Sequence, residues 1–146
     1  VSELIMNVNM SNFTRILGLL LKSGIRIVEA VTITSSTFRN LVYQRALASA
    51  NEEIRKGQQL AEYLEAKEEL FPRLLSGMIK IGENTGNLED NLFYLSEYYT
   101  EEVDNKVKAL TTLLEPLLLL FMGVFVGFVA ISIIMPIYSI SQGLSN

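Results

Sequence analysis

The chain has 146 residues, a formal net charge of −4 and no cysteine, histidine or tryptophan. Without thiol or imidazole groups it cannot supply a thiolate nucleophile, an imidazole base, a structural zinc site or an iron–sulfur cluster, which excludes most classes of enzyme. The acidic charge balance also leaves no basic stripe to neutralise phosphates, and this argues against a nucleic-acid partner.

Helical spacing dominates the chain from residue 11 to residue 115. Apolar residues recur every three or four positions, and the interruptions are glycines and prolines rather than the alternation typical of a strand. We therefore predict an all-α fold, with a cytoplasmic domain of six helices over residues 11–115. Residues 1–10 are expected to be a linker from a preceding segment.

Residues with known preferences mark the helix ends. Ser11 or Asn12 is predicted to cap the first helix, and Pro72, after Phe71, to lie in the first turn of the fifth. Glycine favours the left-handed position that closes a helix, and three glycines are expected to do so: Gly24, Gly57 and Gly86.

The remaining boundaries follow from polar clusters. The second helix is expected to end in the serine and threonine cluster at residues 34–37. The third and fourth are predicted at about residues 40–56 and 58–66. The sixth helix, capped by Asn87, continues without a turn signal into an apolar segment and is expected to bend at Pro116, which removes a backbone donor.

The carboxyl-terminal segment is uncharged and apolar, since Glu115 is the last residue of the acidic and basic types Asp, Glu, Lys and Arg. Leu117–Met135 contains Ser132 as its only polar residue. At ~1.5 Å per residue its length nearly matches the ~30 Å hydrocarbon core of a bilayer. We predict a transmembrane helix over residues 116–138 and a short periplasmic tail over residues 139–146.

The placement of lysine predicts the orientation in the membrane. Lys106 and Lys108 precede the apolar segment closely, whereas residues 136–146 carry no positive charge. Because positive residues are retained on the cytoplasmic side, the domain is expected to be cytoplasmic and the carboxyl terminus periplasmic.

The stretch from Gly82 to Leu88, which includes Thr85 and Gly86, contains a carboxylate in an unfavourable place. Glu83 lies near the end of the fifth helix, where its charge faces the negative end of the helix dipole at a cost of a few tenths to ~1 kcal/mol. We expect a compensating partner. One hypothesis is that Glu83 accepts hydrogen bonds from the free N–H groups of the sixth helix; the alternative is contact with another protein.

Two other groups of residues have competing interpretations. Glu97, Glu101 and Asp104 form an acidic ridge that could hold a hard cation, although a solvated helix face is far commoner; no cofactor is expected. Gly123 and Gly127 form a pair of small residues four apart, which permits close approach of membrane helices but is also common in helices that do not associate.

Several short motifs occur in a specific order. They are Phe13-Thr14-Arg15, Ser23-Gly24-Ile25, Arg55-Lys56-Gly57, Leu70-Phe71-Pro72, Gly82-Glu83 with Thr85-Gly86 and Leu88, Leu114-Glu115-Pro116, and Met135-Pro136-Ile137-Tyr138. Over about residues 13–144 they resemble the PilC/GspF family, the inner-membrane platform proteins of type II secretion systems and type IV pili. Arg26 departs from the family, in which proline usually opens the second helix.

The resemblance implies a carboxyl-terminal fragment of a larger protein, because family members carry two six-helix domains and three membrane helices. Glu115 before Pro116 looks like the second copy. The implied function is a non-enzymatic, homo-oligomeric scaffold in a bacterial or archaeal-type inner membrane, which couples a cytoplasmic assembly ATPase to polymerisation of pilin or pseudopilin. Other inner-membrane assembly proteins are further implied partners.

Two other functional classes remain open from the sequence. One is a membrane-anchored helical signalling adaptor, which would differ from a platform protein only in its partner. The other is a membrane-anchored metal-dependent hydrolase that uses Glu97, Glu101 and Asp104.

Overall fold

The computed structural model describes the backbone of residues 2–144 and the side chains of residues 2–143. This part of the chain forms six α-helices: α1 (Ser2–Lys22), α2 (Ile27–Ser36), α3 (Leu41–Arg55), α4 (Leu60–Glu65), α5 (Arg73–Thr85) and α6 (Leu88–Leu144). No strand occurs within the described residues, so the all-α prediction is confirmed.

The helices belong to two compact units. The first ends at Asp104 and holds α1 to α5 with the start of α6; the second begins at Asn105 and is the remainder of α6. The division therefore falls inside a helix, ahead of the boundary predicted after Glu115. In the first unit α2 packs against α1 and α3, and α4 packs against α3 and α5.

The first helix begins earlier than the sequence predicts, and the linker role of residues 1–10 stays a prediction. Helix α1 begins at Ser2, and Met10 within it is fully buried in the core. Ser11 is not a helix cap, because it lies inside α1. Its hydroxyl oxygen lies 2.7 Å from that of Thr100 on α6. A serine followed by asparagine resembles a cap in sequence, but here the hydroxyl of Ser11 is satisfied by a neighbouring helix.

The predicted glycine endings are confirmed. All three have positive φ: Gly24 at 88°, Gly57 at 99° and Gly86 at 77°. After α1, the N–H of Gly24 donates to the Leu21 carbonyl at 3.0 Å and that of Ile25 to the Leu20 carbonyl at 3.1 Å. This pair of bonds is the Schellman ending, which satisfies carbonyls that a helix terminus leaves free. Pro72 occupies the N-cap of α5 rather than its first turn.

The core of the first unit contains a cluster of four aromatic rings. The Phe13 ring lies 5.9 Å from that of Phe71, and Tyr43 meets Phe71 edge-on at 5.6 Å. Phe38 stacks on Tyr43 at 5.1 Å. These offset and edge-on contacts join α1 to the α2–α3 and α4–α5 connections, and each such pair adds ~0.5 to 1.5 kcal/mol beyond area burial.

Two buried tyrosines differ in what their hydroxyl groups meet. Tyr43 donates to the carbonyl of Leu70 at 3.0 Å. Tyr99, on α6, is 3% exposed, and its hydroxyl has no hydrogen-bond partner among the described residues. Burial, and to a smaller extent neighbouring Tyr98, raises the pKa of Tyr99 to about 12. Its protonated hydroxyl has therefore lost water without gaining a partner, which is destabilising.

We predict different effects from removing these two hydroxyl groups. Tyr43→Phe is expected to lower the free energy of unfolding by ~1 kcal/mol, because the Leu70 carbonyl loses its donor. Tyr99→Phe, its matched control, is expected to leave stability unchanged or slightly raised. Urea unfolding of the detergent-solubilised chain measures both. An equal loss in the two variants would contradict the assignment.

Candidate functional site

The turn between α5 and α6 contains the Gly82–Leu88 stretch that the sequence singled out. Gly82 and Glu83 lie in the last turn of α5, Gly86 closes that helix, and Leu88 begins α6. The N–H of Asn87 donates to the Gly82 carbonyl at 3.0 Å. The turn is thus fastened by the backbone, and α6 leaves it in a direction fixed by α5.

Gly82 allows α5 and α6 to approach closely. A Cβ at Gly82 would lie 2.7 Å from the Cα of Leu88 and 3.2 Å from the amide nitrogen of Asn91. The same Asn91 side chain donates to the Met78 carbonyl at 2.9 Å, which ties α6 to α5 one turn back. Gly82 is therefore required by close packing against backbone atoms.

The Glu83 carboxylate binds the N-terminus of α4. Its Oε1 accepts from the N–H of Ala61 at 2.8 Å, and its Oε2 accepts from the N–H of Leu60 at 3.1 Å. The N-cap residue of α4, Gln59, makes no side-chain capping bond; its amide instead donates to Asn84 at 3.0 Å. The expected compensating partner thus exists, but the prediction that it is the sixth helix is wrong.

The electrostatic consequence follows from the two helix ends that meet at Glu83. The carboxylate lies at the negative end of the α5 dipole and at the positive end of the α4 dipole, where N–H groups are otherwise unpaired. Two charge-assisted hydrogen bonds outweigh the unfavourable position on α5. The alternative hypothesis, that Glu83 contacts another protein, stays a hypothesis.

An open cleft lies beside the turn. Its walls include Leu21, Ile25 and Leu88, and its charged groups are Glu83 and Glu89. Apolar walls with two carboxylates suit an apolar side chain from a protein segment and disfavour a phosphate.

The acidic ridge is solvated. Glu97, Glu101 and Asp104 are exposed on α6. Within the described residues no group of three acidic side chains is placed to hold a metal ion. The hydrolase hypothesis therefore has no assembled site to support it in this part of the chain.

The apolar part of α6 has the length and composition of a membrane span. Its most apolar window has a mean hydropathy of 2.9 and is not buried, and α6 continues through Pro116 and Pro136. Gly123 and Gly127 lie here with no described atom within 4 Å of an added Cβ. Helix α1 is also long and apolar enough to cross a membrane, but 39% of its most apolar segment is buried inside the first unit.

The close packing at one glycine was not predicted from the sequence. A Cβ at Gly18, inside α1, would lie 3.3 Å from the Cβ of Leu92 on α6, so α1 and α6 also approach closely. The available signal was a glycine in a helix interior, where it costs ~1 kcal/mol relative to alanine and usually has a packing reason.

These features define a class of protein: an all-helical unit whose last helix continues as an apolar helix of membrane length. The family described as "Type II secretion system (T2SS), protein F" matches residues 13–136. The chain belongs to this family, and the resemblance seen in its motifs is confirmed.

Curated relatives include proteins of type IV pilus assembly and proteins of type II secretion systems. The type IV pilus assembly protein PilC of Thermus thermophilus is 38% identical over 135 residues, which cover 92% of this chain and 33% of that protein. The type II secretion system protein F of Pseudomonas aeruginosa is 29% identical over 142 residues, or 97% and 35%. The chain thus spans about a third of the length of the relatives it matches.

The capping role of Glu83 predicts graded losses. Glu83→Gln keeps one acceptor oxygen but turns an amide NH₂ toward the second N–H, so we expect a loss of ~1 kcal/mol; Glu83→Ala should lose ~2 kcal/mol. Hydrogen exchange of the Leu60 and Ala61 backbone N–H groups should be faster in both variants. Glu52→Gln, on the exposed face of α3, is the control. Unchanged exchange at these two amides would refute the cap.

The close approach at Gly82 predicts a contrast within one helix. Gly82→Ala is expected to destabilise by ~1 to 3 kcal/mol, because its Cβ would press on the backbone of α6. Gly77→Ala, where an added Cβ meets no described atom within 4 Å, should instead stabilise α5 by up to ~1 kcal/mol. Thermal melts of both variants measure the difference, and similar shifts would contradict it.

Proposed function

We propose that this chain is part of the platform protein of a type II secretion or type IV pilus assembly machine, anchored in the inner membrane. In this proposal it couples a cytoplasmic ATPase to the polymerisation of pilin or pseudopilin subunits. The observation that carries it is that α6, in a chain of this family, begins in the folded helical unit and continues into an apolar segment of membrane length.

The proposed mechanism needs no catalytic group in this chain. A displacement of the first unit by the ATPase would be passed to α6, because the start of α6 is held to α5 by Asn91 and by the close contact at Gly82. The apolar part of α6 lies in the bilayer, where subunits with apolar helices must be moved before assembly. A helix is suited to this task because its backbone hydrogen bonds are all internal.

The proposed orientation places the first unit in the cytoplasm. Lys106 and Lys108 flank the cytoplasmic end of the apolar segment, in keeping with the retention of positive charge on that side. Tyr94 and Tyr98 are exposed on α6 and offer a surface for a protein partner. Further proposed partners are other inner-membrane assembly proteins and a second copy of the chain.

Single thiol probes test the topology, because the chain has no cysteine of its own. Ser49→Cys, at an exposed position of α3, should resist a membrane-impermeant maleimide in intact cells and react after lysis. Ser141→Cys, beyond the apolar segment, should react in intact cells. Labelling of position 49 from outside would contradict the orientation.

Gene deletion tests the function itself. A strain without the encoding gene is expected to lose surface pili or secreted substrate proteins, and re-expression should restore them. Re-expression of Gly77→Ala serves as a matched control, because this change adds a Cβ in open space and should restore assembly fully. Normal pili and secretion in the deletion strain would overturn the proposal.

A further inference from the structure

The open cleft beside the α5–α6 turn is built from two helix connections, and we call it the turn cleft. It has a volume of about 440 Å³. The α1–α2 connection is closed by the N–H of Ile25, which donates to the Leu20 carbonyl at 3.1 Å, and the α5–α6 turn by that of Asn87, which donates to the Gly82 carbonyl at 3.0 Å. Because both walls are held by backbone hydrogen bonds, a ligand there does not have to order them.

The apolar part of the wall is incompletely covered. Leu21, Ile25, Ile27 and Leu88 pack against the core of the first unit, yet each is only half-buried. All four line the cleft. A large apolar side chain placed there would therefore remove further apolar surface from water, which is worth ~25 cal/mol per Å².

The charged groups of the wall are two carboxylates. Each oxygen of Glu83 accepts one N–H bond from α4 and keeps a second lone pair. Glu89 is exposed and takes part in no ion pair among the described residues. Of the nearby cations, Lys22 lies over the Phe93 ring at 5.6 Å, and Arg26 is not part of the wall. The turn cleft is thus apolar and negatively charged.

We propose that the turn cleft binds a segment of a cytoplasmic protein in which a large apolar side chain stands beside a lysine or arginine. The inference rests on the proposed function, in which the first unit is cytoplasmic. The apolar side chain covers Leu21 and Leu88, and the cation pairs with Glu89. Glu83 stays bound to α4 and adds negative potential, so the charges of cleft and segment are complementary.

Other occupants match the turn cleft less well. A phosphate group would meet two carboxylates and no cation on the wall. A small molecule is bound where most of its surface is enclosed, which an open cleft does not provide. Lipid is not expected in the proposed topology, because Leu88 lies twenty-seven positions before Glu115, which precedes the apolar segment.

The location of the turn cleft gives the contact a mechanical role. Gly82 and Glu83 line the cleft, and the same two residues hold α5 to α6 and to α4. Leu88, on the wall, is the first residue of α6. A partner that moves while bound in the cleft therefore applies its force directly at the start of α6, with no loop between.

Charge reversal in the first turn of α6 tests the contact. Glu89→Lys places a cation on the wall, and Asp90→Lys, the matched control, makes the same change one residue later and off the wall. Both disturb the helix dipole alike, so urea unfolding of the full chain should show equal stability. At equal membrane abundance we expect Glu89→Lys to lower surface pili or secreted protein at least tenfold and Asp90→Lys to stay within twofold of wild type.

Photo-cross-linking in living cells identifies the occupant. A benzophenone amino acid is incorporated at Ile27, on the wall, or at Ile33, a control in the same helix that is 38% exposed and off the wall. We expect at least fivefold more light-dependent adduct at Ile27, to a protein other than this chain and next to a lysine or arginine in that protein. Glu89→Lys should lower this adduct at least fivefold, and Asp90→Lys should not.

Every other result overturns the proposal. Attachment to a second copy of this chain or to lipid would assign the turn cleft to that occupant. Attachment to a segment without basic residues, no excess over the Ile33 control, or equal activity of the two charge variants would each contradict the charge complementarity. Gene deletion separates this failure from that of the proposed function: if deletion abolishes pili or secretion while both charge variants work, only the proposal for the cleft fails.

Discussion

The close contact between α5 and α6 at Gly82 is the constraint on which the rest of the first unit depends. It requires a residue without a Cβ, since the Cα of Leu88 lies only 2.7 Å from where that atom would be. The adjacent Glu83 carboxylate joins the same place to α4 through two backbone N–H groups. One turn therefore fixes the positions of three helices, α4, α5 and α6. Gly82 acts through steric fit, and Glu83 acts through its charge and hydrogen bonds.

This constraint matters because α6 belongs to both units. Its first turns carry core residues, including Leu92 and Leu95, while its later turns are uncharged and apolar. Burial in the first unit and, in the proposed function, transfer of the apolar segment into lipid are separate sources of stability for a single helix. The proposed function therefore expects a change at the turn to affect the apolar segment although no residue of that segment is altered.

Local signals predicted much of this structure, and contacts between distant residues explain what they missed. The left-handed glycines at Gly24 and Gly86 and the apolar segment after Glu115 each depend on neighbours in sequence, so pattern and propensity were sufficient. The partner of Glu83 is 22 and 23 residues away, on a helix whose packing no spacing rule gives. Similarly, Ser11 looked like a cap because its true partner, Thr100, is 89 positions away.

The central claim is that α6 must be a continuous helix to couple its two ends. The most direct test lowers the helix stability of α6 without changing its length. Ala109→Gly, Thr111→Gly and Thr112→Gly together leave every large apolar residue of α6 unchanged and cost ~1 kcal/mol of helix stability per site relative to alanine. The matched control carries Thr111→Ala and Thr112→Ala. At equal membrane abundance, the account predicts that the glycine variant loses at least tenfold in surface pili or secreted protein while the control retains wild-type levels. Equal activity of the two variants would contradict it.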